Sequence, residues 1–162
     1  MSDGTVVHGT IDEFARAQGL ERRRANWYRR SDGVVTVLNV QKSLYGPQYY
    51  VNWGFFLTDL GDASHPSVPD CQVTTRLEAI LPEHEEEIEQ LLDLAAPLDE
   101  DQRRDGLKQL LRLAHERLRV TTKEDIRDRI ADGTLADAAI DLEAQALLGL
   151  EWKQGVGMVL RD

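Results

Sequence analysis

Hydrophobic and polar positions change period twice along the chain. Ile11, Phe14, Ala15 and Gln18 fall on one helical face. Thr10 with Glu13 reads as a capping box, and Gly19 stands at the C′ position, so the pattern predicts a short helix over residues 11–18 after a loose start at 1–9. The period then becomes two. Asn26-Trp27-Tyr28-Arg29 reads as a strand, and Ser31-Asp32-Gly33 is a hairpin signal. A β-branched run covers 34–43, Leu44-Tyr45-Gly46-Pro47 breaks it, and an aromatic-rich strand covers 49–57. Residues 61–69 form a Gly/Pro/Ser loop. A fourth strand is expected over 71–81, with Cys71, Val73, Thr75, Leu77 and Ala79 on one face and Gln72, Thr74, Arg76 and Glu78 on the other.

From Pro82 the spacing is helical. Ile88, Leu91, Leu92 and Ala95 share a face, and Pro97 marks an end. Asp99 or Asp101 caps the next helix, whose stripe is Leu107, Leu110, Leu111, Ala114 and Leu118. Thr121 with Glu124 opens a third helix that stops at Gly133, and a fourth is expected over 135–148 before Gly149. The tail, 152–160, reads as a last strand or an irregular cover. Strands segregated from helices predict one α+β domain over 1–162: an antiparallel four-stranded meander, five-stranded if the tail joins, with helices packed on one face.

Composition narrows the function. At 162 residues with 41% hydrophobic and 30% charged residues, the chain suits one ordinary globular domain. The net charge is −10. Residues 1–80 hold 8 basic and 9 acidic residues, a net of −1; residues 81–162 hold 11 and 20, a net of −9. This balance disfavours nucleic acid and anionic membrane as partners. Arg22-Arg23-Arg24 and Arg29-Arg30 beside Trp27 form a local basic cluster, but in an acidic protein. Arg outnumbers Lys by 15 to 4, a bias that resembles coding by a GC-rich bacterial genome. The first thirty residues hold no continuous apolar stretch, and no apolar run is long enough to span a bilayer, so the expected location is the cytoplasm.

Conventional chemistry is missing. The chain has no G-x-S-x-G, P-loop, dinucleotide-binding or H-E-x-x-H motif, and no cofactor or metal is implied. His8, His65, His84 and His115 lie far apart and read as surface histidines; Cys71, the only cysteine, reads as an inert core residue. The acids at 99–101 read as a helix start rather than a calcium loop.

Two features remain. If residues of the central hairpin pair with numbers summing to 91, Asn39 faces Asn52 and Gln41 faces Tyr50, while Val40–Val51 and Leu38–Trp53 fill the other face. Asn39, Gln41 and Ser43 then share a side that Arg76 could join. That is a solvated sheet face bonded across strands, or a recognition face. The second feature is acidic density: residues 81–101 carry nine carboxylates and no Lys or Arg, with Glu85, Glu86 and Glu89 near one helix start. That is a solubilising face, or a docking face for a basic protein partner.

Residues 27–54 carry a resemblance. Trp27-Tyr28-Arg29, then Asn39-Val40-Gln41-Lys42-Ser43 closing a strand, then Tyr50-Val51-Asn52-Trp53-Gly54, resemble a widespread bacterial family known as domain of unknown function 4304. The likeness would span about residues 10–140. It implies an α+β bacterial protein and no particular activity; Gln41, Lys42, Ser43, Tyr50 and Asn52 carry over as motif positions only. Two functional expectations follow. One is a non-catalytic interaction module, of the immunity or inhibitor type, using Glu85, Glu86 and Glu89. The other is a small-molecule binder or an enzyme without a familiar motif, working from Asn39, Gln41, Tyr50, Asn52 and Arg76.

Overall fold

The computed structural model describes residues 3–161. Its centre is a six-stranded antiparallel sheet in sequential order: β1 (Glu21–Arg23), β2 (Asn26–Ser31), β3 (Val34–Lys42), β4 (Tyr49–Leu57), β5 (Val73–Arg76) and β6 (Ala139–Ile140). The class is α+β, as the pattern predicts. The strand count is six rather than four or five, because β1 and β6 add short edges. The tail does not join the sheet. It forms a separate hairpin of β7 (Leu150–Lys153) and β8 (Gly157–Leu160).

Turn chemistry sets the register. Gly33 has φ 78°, which a two-residue hairpin turn needs, and this pairs Ser31 with Val34 and hence Asn26 with Asn39. Strands β3 and β4 pair with numbers summing to 91, so Asn39 faces Asn52 and Gln41 faces Tyr50. One sheet face is apolar. Val34, Leu38 and Val40 with Val51, Trp53, Phe55 and Leu57 are all buried there. Onto this face pack α1 (Asp3–Ala17), α3 (Glu85–Leu92), α4 (Glu100–Leu118) and α5 (Lys123–Ala131), through Ile11, Phe14, Ile88, Leu107, Leu111 and Ile126.

Several boundaries differ from the sequence pattern, each for a local reason. Helix α1 begins at Asp3, so most of the stretch expected to be loose is helical; Met1 and Ser2 lie outside the described residues. Thr10 is therefore inside the helix rather than its cap, and its hydroxyl donates to Val6 O at 2.7 Å. Val6 and Val7 are buried too and extend the face of Ile11 and Phe14 backwards by one turn. Strand β5 stops at Arg76, and α2 (Leu77–Ile80) follows, because Leu77, Ile80 and Leu81 are buried at i, i+3, i+4 spacing. The third helix opens one residue late: Thr122 and Asp125, not Thr121 and Glu124, form its capping box. The expected fourth helix is cut. Ala139 and Ile140 pair with Thr74 and Val73 as β6, and only α6 (Leu142–Leu147) remains helical. Tertiary pairing at the open edge of β5 overrides a helical apolar pattern there.

Arg103 lies wholly buried and has no carboxylate partner among the described residues. Its guanidinium donates instead to the carbonyls of Gln90, Leu91 and Asp93 and, through Nη2, to Ala96. It thus satisfies the C-terminal carbonyls of α3, where the helix dipole favours a cation.

Candidate functional site

The second face of the sheet is divided. Toward the β2–β3 turn, Tyr28, Val35, Val37, Phe56 and Cys71 form a small apolar cluster under the loop that precedes β5. Gly54 makes that cover possible. A Cβ there would stand 2.7 Å from Cys71 Sγ and 3.1 Å from Cys71 Cβ, so only glycine lets the loop lie on the strand. Cys71 is the inert residue expected: it is buried, and desolvation, with Asp70 and Asp141 nearby, pushes its thiol up to about 12.

Beyond Gly54 the same face turns polar. Asn26, Asn39, Asn52 and Arg76 occupy successive pairing positions on β2, β3, β4 and β5. Their side chains form a ladder across the strands. Arg76 Nε donates to Asn52 Oδ1 at 3.0 Å. Asn52 Nδ2 donates to Asn39 Oδ1 and to Gln41 Oε1, both at 3.1 Å. Asn39 Nδ2 donates to Asn26 Oδ1 at 2.7 Å, and Asn26 Nδ2 to the Tyr28 hydroxyl at 3.2 Å. A guanidinium can only donate, so Arg76 fixes which end of Asn52 is the oxygen, and that choice propagates to each amide in turn. Asn52 is 7% exposed and has every polar atom engaged.

The ladder floors a groove of about 590 Å³. One wall is the loop at 67–69, which the bare Gly54 admits; another is Glu78 and Ala79 of α2; Asp137 and Ala139 close the far side. Arg76 stacks over Tyr50, with its guanidinium carbon 4.4 Å from the ring centroid. Its Nη1 and Nη2, and Gln41 Nε2, have no hydrogen-bond partner among the described residues. Burial holds the Glu78 carboxyl above its ordinary range; a hydrogen bond from its own backbone N–H and then Arg76 draw it down, and Glu89 and Glu85 push it further up.

The structure thus brings Asn39, Gln41, Tyr50, Asn52 and Arg76 together and separates two other motif positions from them. Lys42 points to the opposite sheet face, by strand alternation, and is exposed. Ser43 lies past the strand end, where its hydroxyl accepts from Tyr45 N at 3.1 Å. Trp27 and Arg29 are also on the helix-covered face: the indole donates to Asp12 at 2.8 Å, and Arg29 donates to the Gln18 and Val120 carbonyls. Sequence reasoning missed Asn26, although the Asp32-Gly33 turn already places it opposite Asn39. It also missed the Asp137 rim, for which the sequence carried no signal.

The acidic helix adjoins this site. On α3 and the turn before it, Glu83 pairs with Arg117 and Glu87 with His84. Glu85, Glu86 and Glu89 are exposed and have no ion pair among the described residues. Glu86 and Glu89 share a hollow of about 400 Å³ with Gln48, Tyr50 and Asp93. Tyr50 therefore stands between the amide groove and the acidic face. Of the histidines, His8 and His115 are half-buried rather than on the surface, edge-on to Tyr49 and Phe14, and burial holds both below the ordinary imidazole range. Among the described residues no group of three or more His, Cys, Asp or Glu could hold a metal ion, and no helix is long and apolar enough to cross a membrane.

Comparison with known families agrees with the motif. The family described as Domain of unknown function (DUF4304) matches residues 11–130. The chain belongs to this family. No curated protein and no solved structure matches it. The DUF4304 match contains the whole amide ladder, Arg76 and α3, whereas Asp137 and Ala139 on the groove rim lie beyond it. The motif residues accordingly divide by position: Trp27 and Arg29 tie helices to the sheet, Gly54 admits the loop, Asn39, Gln41 and Asn52 line the groove, and Tyr50 stacks against Arg76 beside it.

Proposed function

We propose that the protein is a binding module whose working surface is the amide-floored groove, taking a small polar molecule. One observation carries this reading. The ladder is satisfied internally and holds Arg76 through Nε, while Arg76 lines the groove with both Nη groups unbonded among the described residues, a donor pair carried by the strands. A sheet face that served only for stability would have no need of an oriented, half-used guanidinium beside an open hollow. The volume falls within the usual range for small-molecule sites. The test is a fragment screen read by amide shifts of isotope-labelled protein. Shifts should gather on Asn39, Gln41, Asn52 and Arg76, and Gln41→Ala should abolish them without lowering the melting temperature. Hits that map only elsewhere, or none at millimolar fragment, would refute the reading.

The unpaired carboxylates favour a second reading, in which a basic protein partner docks on Glu85, Glu86 and Glu89 in the manner of an inhibitor or immunity complex. Capture from native lysate should then yield a stoichiometric basic partner that falls away at about 0.5 M salt, where screening is nearly complete beyond a few ångströms. Reversing the three glutamates to Lys should slow its association and leave the fold intact; an unchanged association rate sinks this reading.

A further inference from the structure

The charge layout of the groove narrows the ligand. Arg76 supplies one cation, held at Nε by Asn52 and stacked on Tyr50, with Nη1 and Nη2 left without a hydrogen-bond partner among the described residues. Glu78, the second residue of α2, and Asp137, two residues before β6, supply two carboxylates. Neither carboxylate has an ion pair among the described residues, and neither lies within salt-bridge distance of Arg76. Val68, Pro69, Ala79 and Ala139 give the walls an apolar lining. A simple anion would meet Arg76 but also two like charges. A simple cation would leave the Nη donors unused. A molecule carrying both signs satisfies each end.

We infer that the groove binds a small zwitterion of amino-acid size, its carboxylate on Arg76 Nη1 and Nη2 and its ammonium on Glu78, with Asp137 adding attraction at the rim. This rests on the groove reading above and specifies its ligand. Bidentate pairing suits a guanidinium whose plane is already fixed by stacking and by one hydrogen bond, since little rotamer freedom remains to be lost. The half-buried Glu78 gains from a cation for the same reason that it is hard to ionise alone: it has lost part of its water.

The experiment is titration calorimetry of the intact protein with α-, β- and γ-amino acids, which span the charge spacings the groove could accept. Each is paired with its N-acetyl and its carboxamide derivative. At least one free amino acid should bind, and capping either end should weaken it by about tenfold or more, the scale of one lost charged contact. In Glu78→Gln the penalty for N-acetylation should largely disappear. In Arg76→Gln the penalty for the carboxamide should disappear. Should either variant melt early, the capped ligands on the unaltered protein still decide the matter. Binding that is indifferent to capping overturns the inference. So does a failure of every amino acid to bind while fragments still map to the groove, and in that case the groove reading survives alone.

Discussion

The two faces of the β3–β4 hairpin are built from alternate residues of the same two strands, yet they do opposite work. On one face Leu38, Val40, Val51 and Trp53 are buried against four helices. On the other, Asn39, Gln41, Tyr50 and Asn52 occupy the neighbouring positions; Asn39, Gln41 and Asn52 floor the groove, and Tyr50 lines the hollow beside α3. The first face is held by apolar area removed from water, which is non-directional. The second is held by directed hydrogen bonds whose net contribution is small, because water competes for the same atoms. On the groove reading proposed above, a face that adds little to stability yet is specified atom by atom serves binding.

Matched truncations give the sharpest test of that contrast. Leu38→Ala removes a fully buried side chain and should cost about 2–5 kcal/mol in urea denaturation. Asn52→Ala, one strand over on the polar face, should cost only about 1–2 kcal/mol although it breaks three side-chain hydrogen bonds, because the groove admits water to the stranded partners. Equal losses would mean that the ladder is a stability element and that the contrast between faces is false.

Gly54→Ala probes the seam between the covered and open halves of the polar face. Its new methyl would press on Cys71, so a loss of about 1–3 kcal/mol is expected, by overpacking. The loop should also lift, which unroofs the Cys71 thiol. Native protein should react slowly with a disulfide reagent at pH 8, since the thiol is buried and pushed up to about 12, and the variant should react faster. An unchanged reaction rate would show that the loop does not depend on Gly54.

Much of this division was legible in the sequence, and the reason is the period of two. Once Asp32-Gly33 and the break at 44–47 are recognised as turns, pairing follows, and alternation assigns Asn39 and Asn52 to one face and Leu38 and Trp53 to the other. Long, strongly periodic elements such as α4 were legible for the same reason. What failed was short and set by distant contacts. The 77–80 stretch alternates well enough to continue a strand, but Leu77, Ile80 and Leu81 find more burial as a helical turn. Residues 139–140 sit in a helical apolar pattern, yet the free edge of β5 captures them. The Asp137 rim was illegible because it depends on that capture. Glu78 was placed on the polar face, for the wrong local conformation.

Glu78 also offers the smallest and most discriminating test of the comparison, because it is a carboxylate that the polar face does not pair. Burial raises its pKa, as do Glu89 and Glu85, against a hydrogen bond from its own backbone N–H and the pull of Arg76. The folded chain therefore holds this proton more tightly than the unfolded chain does. The sign follows from linkage: folding is favoured while Glu78 is protonated, and that contribution is lost as pH rises from the ordinary carboxyl range through the raised value. Glu78→Gln should accordingly raise the melting temperature at pH 7 and leave it unchanged at about pH 3, where both chains are neutral at this position. The gain should be modest, since the group is partly open to solvent and screened. A bound zwitterion should shrink the gain further by giving the ionised carboxylate its missing cation, whereas a face serving stability alone would show the same difference with and without ligand. A lower melting temperature for the variant at pH 7 would mean that the hydrogen bond from its own backbone N–H, together with Arg76, outweighs burial, and that the carboxylate is already satisfied by the fold.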